Sequence, residues 1–169
     1  MQTKVLVVYA SKHGATKEIA EKIGETLTNM GIDTSIVHAS EATDLTNYST
    51  IILGSAVYIG QWQKPAVSFL KKNVELLSGK DVWIFSSGPS GEGDPVELLQ
   101  GWRFPNSIKE EIDKIQPRDI TVFHGNLDHS KLNFFEKWIT GKVNAAVGDF
   151  RNWAVIKTWA ETIGRTLVS

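Results

Sequence analysis

The chain has no cysteine. That absence removes structural disulfides, thiolate zinc sites, cysteine-ligated iron–sulfur clusters and cysteine nucleophiles at once, so any redox chemistry must come from a bound cofactor. It also lacks an excess of either charge: 18 Lys and Arg stand against 19 Asp and Glu, for a formal net charge of -1. Without a global field, nucleic acid and anionic membranes are not expected partners. Long apolar runs are missing as well, since none approaches the roughly 20 residues of a membrane span. The N-terminus passes directly into strand, with no charged n-region, apolar h-region or small-residue cleavage site. The expectation is a soluble, cytoplasmic protein. No repeat, low-complexity tract or linker interrupts the 169 residues. That predicts one domain, 1–169, able to bury roughly 70% of the surface its unfolded chain would expose.

What is present is concentrated first in Lys4 to Ile23, KVLVVYASKHGATKEIAEKI. An apolar, β-branched run from Val5 to Tyr9 suits a parallel strand covered on both faces. It runs into the polar loop Ser11-Lys12-His13-Gly14-Ala15-Thr16 and then into an amphipathic helix with Ile19, Ala20, Ile23, Leu27 and Met30 on one stripe. Hydroxyl donors, a Gly that permits close backbone approach or positive φ, and the free N–H groups of a helix N-terminus together suit an anion. A phosphate is the expected guest, although Ser and Thr also cap helices in any strand-to-helix turn.

Strand and helix signals alternate along the rest of the chain. Strands are expected at 4–9, 34–38, 49–54, 81–87 and 119–124, helices at 16–30, 64–77, 106–115 and 152–166, and a short helix or turn near 40–46. Such alternation predicts a parallel sheet with helices on both faces. Two further strands lead into Gly- and Ser-rich segments, Gly54 to Trp62 and Ser86 to Pro95. With the first loop, that makes three loops at carboxyl ends of strands, the edge where open α/β sheets bind ligands. Trp62 and Trp102 fall in segments that read as loops, where a large aromatic needs a partner or a ligand. The site reads as a phosphate end and an aromatic end.

Other chemistries do not fit. The GPSGEG run at 88–93 has the wrong spacing for a dinucleotide fingerprint, and Pro95 and its neighbours are not expected to open a helix. A receiver domain needs acidic residues after the first strand and an Asp ending the third, where this chain has Tyr9-Ala10 and Gly54-Ser55. The four His, at 13, 38, 124 and 129, have no metal-ligand spacing, and no Ser-His-Asp order is legible. His38 and His129 read as surface or loop residues. His13 lies inside the phosphate loop, and His124 ends the last strand at the ligand edge.

On these residues the chain resembles the flavodoxin superfamily over nearly its whole length. Ser11, Gly14 and Thr16 match the flavodoxin phosphate pattern, with His13 in place of the middle hydroxyl. YASKHGATKEIAEKI, the Gly-Ser-Ala-x-Tyr loop with FLKKN at 69–73, and LDHSKLNFFEKW followed by GDFRNWAVIKTWA resemble the branch of menaquinone-dependent protoporphyrinogen IX dehydrogenase. The resemblance implies a three-layer flavodoxin-like fold, with a five-stranded parallel sheet of order 2-1-3-4-5 and FMN at the switch between strands one and three. It implies that Ser11, Lys12, His13, Gly14, Ala15 and Thr16 wrap the FMN phosphate. Ala56, Val57, Tyr58, Ile59, Gly60 and Trp62 on one side, and Ser87, Gly88, Pro89, Gly91, Gly93 and Asp94 on the other, would flank the isoalloxazine. Tyr58 and Trp62 are the candidate stacking aromatics, with Trp62 alternatively covering the following helix, and Gly60 would let a neighbouring carbonyl turn toward flavin N5.

No side chain is assigned as catalytic or metal-binding. The implied function is electron transfer through bound flavin to a redox partner protein. The alternative is a quinone-linked, protoporphyrinogen-dehydrogenase-like oxidoreductase with a quinone or porphyrin substrate. Segment 126–151 separates the two, since it is short and only mildly basic after Trp138, whereas that dehydrogenase carries a longer basic and apolar insertion. Electron-carrier flavodoxins, for their part, are usually strongly acidic.

Overall fold

The structure, a computed structural model, describes residues 2–127, 130 and 147–169. The first apolar run forms β1 (Lys4–Ala10), followed by α1 (Ala15–Asn29), β2 (Asp33–His38), β3 (Thr50–Tyr58), β4 (Gln61–Trp62), α2 (Lys64–Leu77) and β5 (Asp81–Ser87). Next come α3 (Pro95–Leu98), a 3₁₀ turn (Asn106–Ile108) leading into α4 (Lys109–Ile115), β6 (Asp119–Phe123), β7 (Asn126–Leu127), β8 (Gly148–Asp149) and α5 (Trp153–Val168). The five parallel strands take the order β2-β1-β3-β5-β6. Two-residue β4 adds antiparallel to β3, so the sheet has six strands rather than the five expected.

Alternation of side chains across the pleat sends neighbouring residues to opposite layers, and both layers are covered. Val5 and Val7 of β1 with Ile52 of β3 pack on Ile19, Ile23 and Leu27 of α1 and Ile156 of α5. Leu6 and Val8 with Ile51 and Leu53 face Phe69 and Leu70 of α2 and Ile112 of α4. The predicted stripe of α1 is the buried one: Ile19, Ala20, Ile23 and Leu27 are wholly inaccessible. Each fully buried Leu or Ile contributes roughly 1.5–3 kcal/mol. This double core fixes the carboxyl ends of β1, β3 and β5 side by side.

Two local expectations are corrected. The third strand does not stop at 54: β3 runs on to Tyr58, because Ala56 still pairs with Ser87 of β5 while Val57 and Tyr58 pair with Trp62 and Gln61 of β4. The hairpin closes through Ile59 and Gly60, both at positive φ (50° and 68°), as a two-residue turn of the kind that matches strand twist. A β-branched residue in that region stores about 1–2 kcal/mol. Pro95, second, does open a helix. Asp94 Oδ1 accepts the N–H groups of Val96 (2.8 Å) and Glu97 (3.0 Å), and Pro95 takes the first helical position, where it has no donor to lose.

The 126–151 segment begins and ends as a small antiparallel pair, with Asn126 opposite Asp149 and Leu127 opposite Gly148. His129, Trp138 and most of LDHSKLNFFEKW, on which the comparison with the dehydrogenase insertion turned, lie outside the described residues.

Candidate functional site

At the carboxyl edge of the sheet, loops after β1, β3, β5 and β6 enclose a pocket of about 230 Å³. One end is made by the loop between β1 and α1. Gly14 is the N-cap of α1 at φ 92°, ψ -12°, a left-handed conformation. A Cβ there would meet nothing within 4 Å, so glycine is needed for the backbone angle and not for space. Gly14 N–H donates to Ser11 Oγ at 2.9 Å, which folds the loop back on itself and leaves the Ser11 hydroxyl its own proton to donate. No side chain caps α1, so its first-turn amides at Ala15 and Thr16, both pocket-lining, carry the positive end of the helix dipole. Thr16 itself is 1% exposed.

The other end is assembled from β3, the β5–α3 loop and β7. Ala56, Val57, Tyr58, Ile59 and Gln63 form one wall, and Ser87, Gly88, Ser90, Gly125, Asn126 and Leu127 a second one beside it. Backbones approach closely on the second wall. A Cβ on Gly125 would lie 3.1 Å from Gly88 Cα, and one on Gly88 would lie 3.0 Å from Val57 Cβ. Tyr58 bridges the two ends. Lys12 Nζ sits 4.1 Å from the centre of its ring, a cation–π contact that joins the phosphate loop to β3. The Tyr58 hydroxyl is buried with no hydrogen-bond partner among the described residues. A buried hydroxyl left unpaired inside a pocket wall suits a ligand with a polar edge.

The structure therefore brings together Ser11, Lys12, His13, Ala15, Thr16, Ala56, Val57, Tyr58, Ile59, Ser87 and Gly88. Gly14 shapes the loop from behind, Gly60 sits behind Ile59 in the turn, and Pro89 has its carbonyl turned toward His124. Four of the expected residues lie away from this lining, and Trp62 takes the second of its two readings. Trp62 is 4% exposed, packs in the core with Phe69 and Leu70, and donates Nε1–H to Ser86 Oγ at 2.9 Å. Its indole covers α2 and is absent from the pocket lining. Gly91, Gly93 and Asp94 turn to a separate cavity of about 700 Å³ beside His124 and Phe150, because Asp94 is committed to capping α3 and Gly93 O to His124. Ser90 falls within the Ser86 to Asp94 stretch expected beside the ring, whereas Gln63, Gly125, Asn126 and Leu127 carry no such expectation. For the last three the available signal was a Gly-Asn pair just past the end of a strand at the ligand edge.

Arg151 ties the pocket's surroundings together. Its side chain is 6% exposed, and it donates to both carboxylate oxygens of Asp149 (Nε to Oδ1 2.9 Å, Nη2 to Oδ2 2.7 Å), to Ala15 O (3.2 Å) and to Glu18 Oε2. The hydrogen bond from Arg151 holds the Asp149 carboxyl below the usual carboxylate range, more than its partial burial raises it. Among the described residues no group of His, Asp or Glu could hold a metal ion, and no helix is long and apolar enough to cross a membrane.

A flavodoxin domain family model matches residues 6–152, and those residues contain every wall of the pocket. The chain belongs to the flavodoxin domain family. Membership makes it a flavodoxin-like redox protein whose working group is a flavin. Among curated proteins it is similar to protoporphyrinogen IX dehydrogenase (quinone) of Escherichia coli strain K12, 29% identical over 77 residues, 44% of this chain. The match spans 42% of that relative's length, and the same holds for the counterpart from strain O157:H7. Among solved structures it is similar to a flavodoxin from the domain Archaea, with TM-score 0.67, 17% identity, and coverage of 99% of this chain and 100% of the other. It is similar too to rubredoxin:oxygen oxidoreductase of Desulfovibrio gigas, with TM-score 0.61 and 16% identity, where 98% of this chain matches 37% of the larger protein. At these identities the structural likeness speaks for the fold alone.

Proposed function

We propose that this chain is an FMN-binding electron-transfer protein, with the phosphate held by the 11–16 loop and the isoalloxazine between the β3 wall and the wall formed by the β5–α3 loop and β7. The observation that carries the reading is the pairing, within one pocket, of a helix N-terminus behind a left-handed Gly14 with a buried Tyr58 hydroxyl, the first without a side-chain cap and the second without a hydrogen-bond partner among the described residues. The residues present suit a group with an anionic end and a flat, polar-edged end. Ser11, His13, Ala15 and Thr16 would hold the phosphate, with Lys12 adding its charge between phosphate and Tyr58. Ala56 to Ile59 and Ser87 to Ser90 would border the ring, together with Asn126 and Leu127. Bound there, the flavin supplies the electron-accepting and electron-donating chemistry. The chain's part is to orient it and to keep water from its buried edge. As part of the same reading, the partner is a redox protein or a small quinone, and the protein works in the cytoplasm.

A second reading, a quinone-linked oxidoreductase acting on protoporphyrinogen or a similar tetrapyrrole, is favoured by the 77-residue match to the Escherichia coli dehydrogenase. Calorimetry with FMN and with riboflavin tests the first step. FMN is expected to bind far more tightly than riboflavin and to give a yellow protein, and equal affinity for both would remove the phosphate loop from the site. Turnover of a porphyrinogen with a quinone then separates the two readings, since a carrier gives none.

A further inference from the structure

His124 follows the last residue of β6 and packs under the loop that supplies Gly88 and Ser90 to the pocket wall. Both ring nitrogens face carbonyl oxygens of that loop: Nδ1 is 3.1 Å from Pro89 O and Nε2 is 2.6 Å from Gly93 O. Pro89 O already accepts Gly125 N–H at 3.1 Å, and Gly88 N–H donates to Phe123 O at 3.1 Å, so the loop is fastened to the end of β6 at several points. A carbonyl oxygen can only accept, and a neutral imidazole carries one N–H. A neutral ring therefore satisfies one of the two contacts and sets a nitrogen lone pair against an oxygen at the other. The imidazolium alone donates to both.

We propose that His124 is a positioning residue for the flavin site. Its protonated ring clasps Pro89 and Gly93, the two ends of the arch that contains Ser90, and so holds the Gly88–Ser90 wall in place. Loss of one ring proton frees one end of the arch. The proposal rests on the FMN reading of the neighbouring pocket. The other charged groups on His124's side of the loop line the same 700 Å³ cavity: Glu92 and Asp94 from the loop, Glu97 from α3, and Arg103 from the segment after α3. Asp94 is engaged by the α3 amides, and Arg103 Nη1 donates to Ile120 O at 2.9 Å. From the segment before α5 come Phe150, its ring 6.5 Å from the imidazole, and Asn152, neither of which titrates.

The test uses the full chain, flavin-free and with FMN, from about pH 5 to about pH 8, the span in which histidine changes charge. Long-range proton–nitrogen correlation spectra report both ring nitrogens of His124 directly and need no variant. Both are expected to carry protons at the acid end. Amide exchange of Ser90 to Gly93 in the flavin-free chain, corrected for intrinsic rates, should speed up about tenfold as the ring proton leaves, the effect of losing one charge-assisted hydrogen bond. In H124Q that pH dependence should vanish. FMN affinity should fall with rising pH more in the native chain than in H124Q, and because every other group is common to both proteins, the difference isolates His124. A ring that keeps one neutral tautomer throughout would overturn the proposal, as would an H124Q protein with the native pH dependence of exchange. If the chain bound no FMN at any pH, the FMN reading would fall, while the ring and exchange measurements would still decide what His124 does to the loop.

Discussion

The pocket's two ends are held by contacts of very different reach along the chain. The phosphate end is six consecutive residues, and the contact that shapes it, Gly14 N–H to Ser11 Oγ, spans three positions in the chain. The far end is pieced together from β3, the β5–α3 loop and β7, and is fastened by contacts such as Trp62 to Ser86 and His124 to Pro89, 24 and 35 positions apart. Local geometry survives as long as α1 does. A distributed wall depends on the core behind it, so damage to that core should reach the ring end first.

The largest expected effect follows from that dependence. Trp62 is 4% exposed and wedged among Phe69, Leu70 and Ser86. Trp62→Ala should lower unfolding stability by about 3–5 kcal/mol, measured by denaturant titration, and should weaken FMN and riboflavin alike. A variant that kept its stability, or lost FMN while keeping riboflavin, would break the division between the two ends.

Thr16→Ala attacks the other end. A hydroxyl that bonds a phosphate contributes about 1.5–3 kcal/mol, so calorimetry should find FMN weakened at least tenfold, riboflavin unchanged and the fold little affected. Equal losses for both ligands would mean that this loop contacts more than the phosphate.

The same division explains what could be read from the amino-acid order. Ser11 to Thr16 is a local motif: the conformation of Gly14 and the free amides of α1 follow from neighbours in sequence, and the pattern names them. The parallel sheet was legible for a related reason, since Val5 to Tyr9 and Ile51 to Leu53 are continuous apolar runs. Trp62 was not. Whether an indole after a strand turns to a ligand or into the core depends on whether β4 folds back on β3, and that is decided by the Ile59–Gly60 turn, where an isoleucine in a left-handed conformation gives no sequence signal. Asp94 and Gly93 were drawn away by an unforeseen one-turn helix and by a histidine 31 residues distant. Asn126 and Leu127 are set beside the pocket by the β7–β8 pairing, and Gly125 by its N–H bond to Pro89 O, contacts between residues far apart in sequence.

Tyr58, where the two ends meet, sharpens the comparison further. Its buried hydroxyl has no partner among the described residues, so Tyr58→Phe removes a desolvated group rather than a bond, and the flavin-free chain should keep its stability or gain up to about 1 kcal/mol. If the ring edge of the flavin is the missing partner, FMN and riboflavin should both weaken by about 0.5–1.5 kcal/mol. Stability and affinity then move in opposite directions. A fall in both would assign the hydroxyl a structural bond instead.

The smallest effect concerns the strap that joins the ends. Asp149 pairs with Asn126 across β7–β8 at the ring end, and Arg151, which Asp149 orients, reaches Ala15 O and Glu18 at the phosphate end. Because that hydrogen bond holds the folded Asp149 carboxyl below its unfolded value of about 4, the stabilisation is complete above that value and fades as pH falls through the lower, folded one. The carboxylate side chain is 44% exposed, so solvent and salt screen the pair, and its worth is under about 1 kcal/mol. Thermal unfolding of the native chain and of Asp149→Asn should therefore differ by a small, constant amount above about pH 5, and the two curves should converge below about pH 4. The gap should also narrow in high salt. A difference that grew on acidification would mean that Asp149 is held protonated in the fold, and that Arg151 draws its orientation from Glu18 and the Ala15 carbonyl alone.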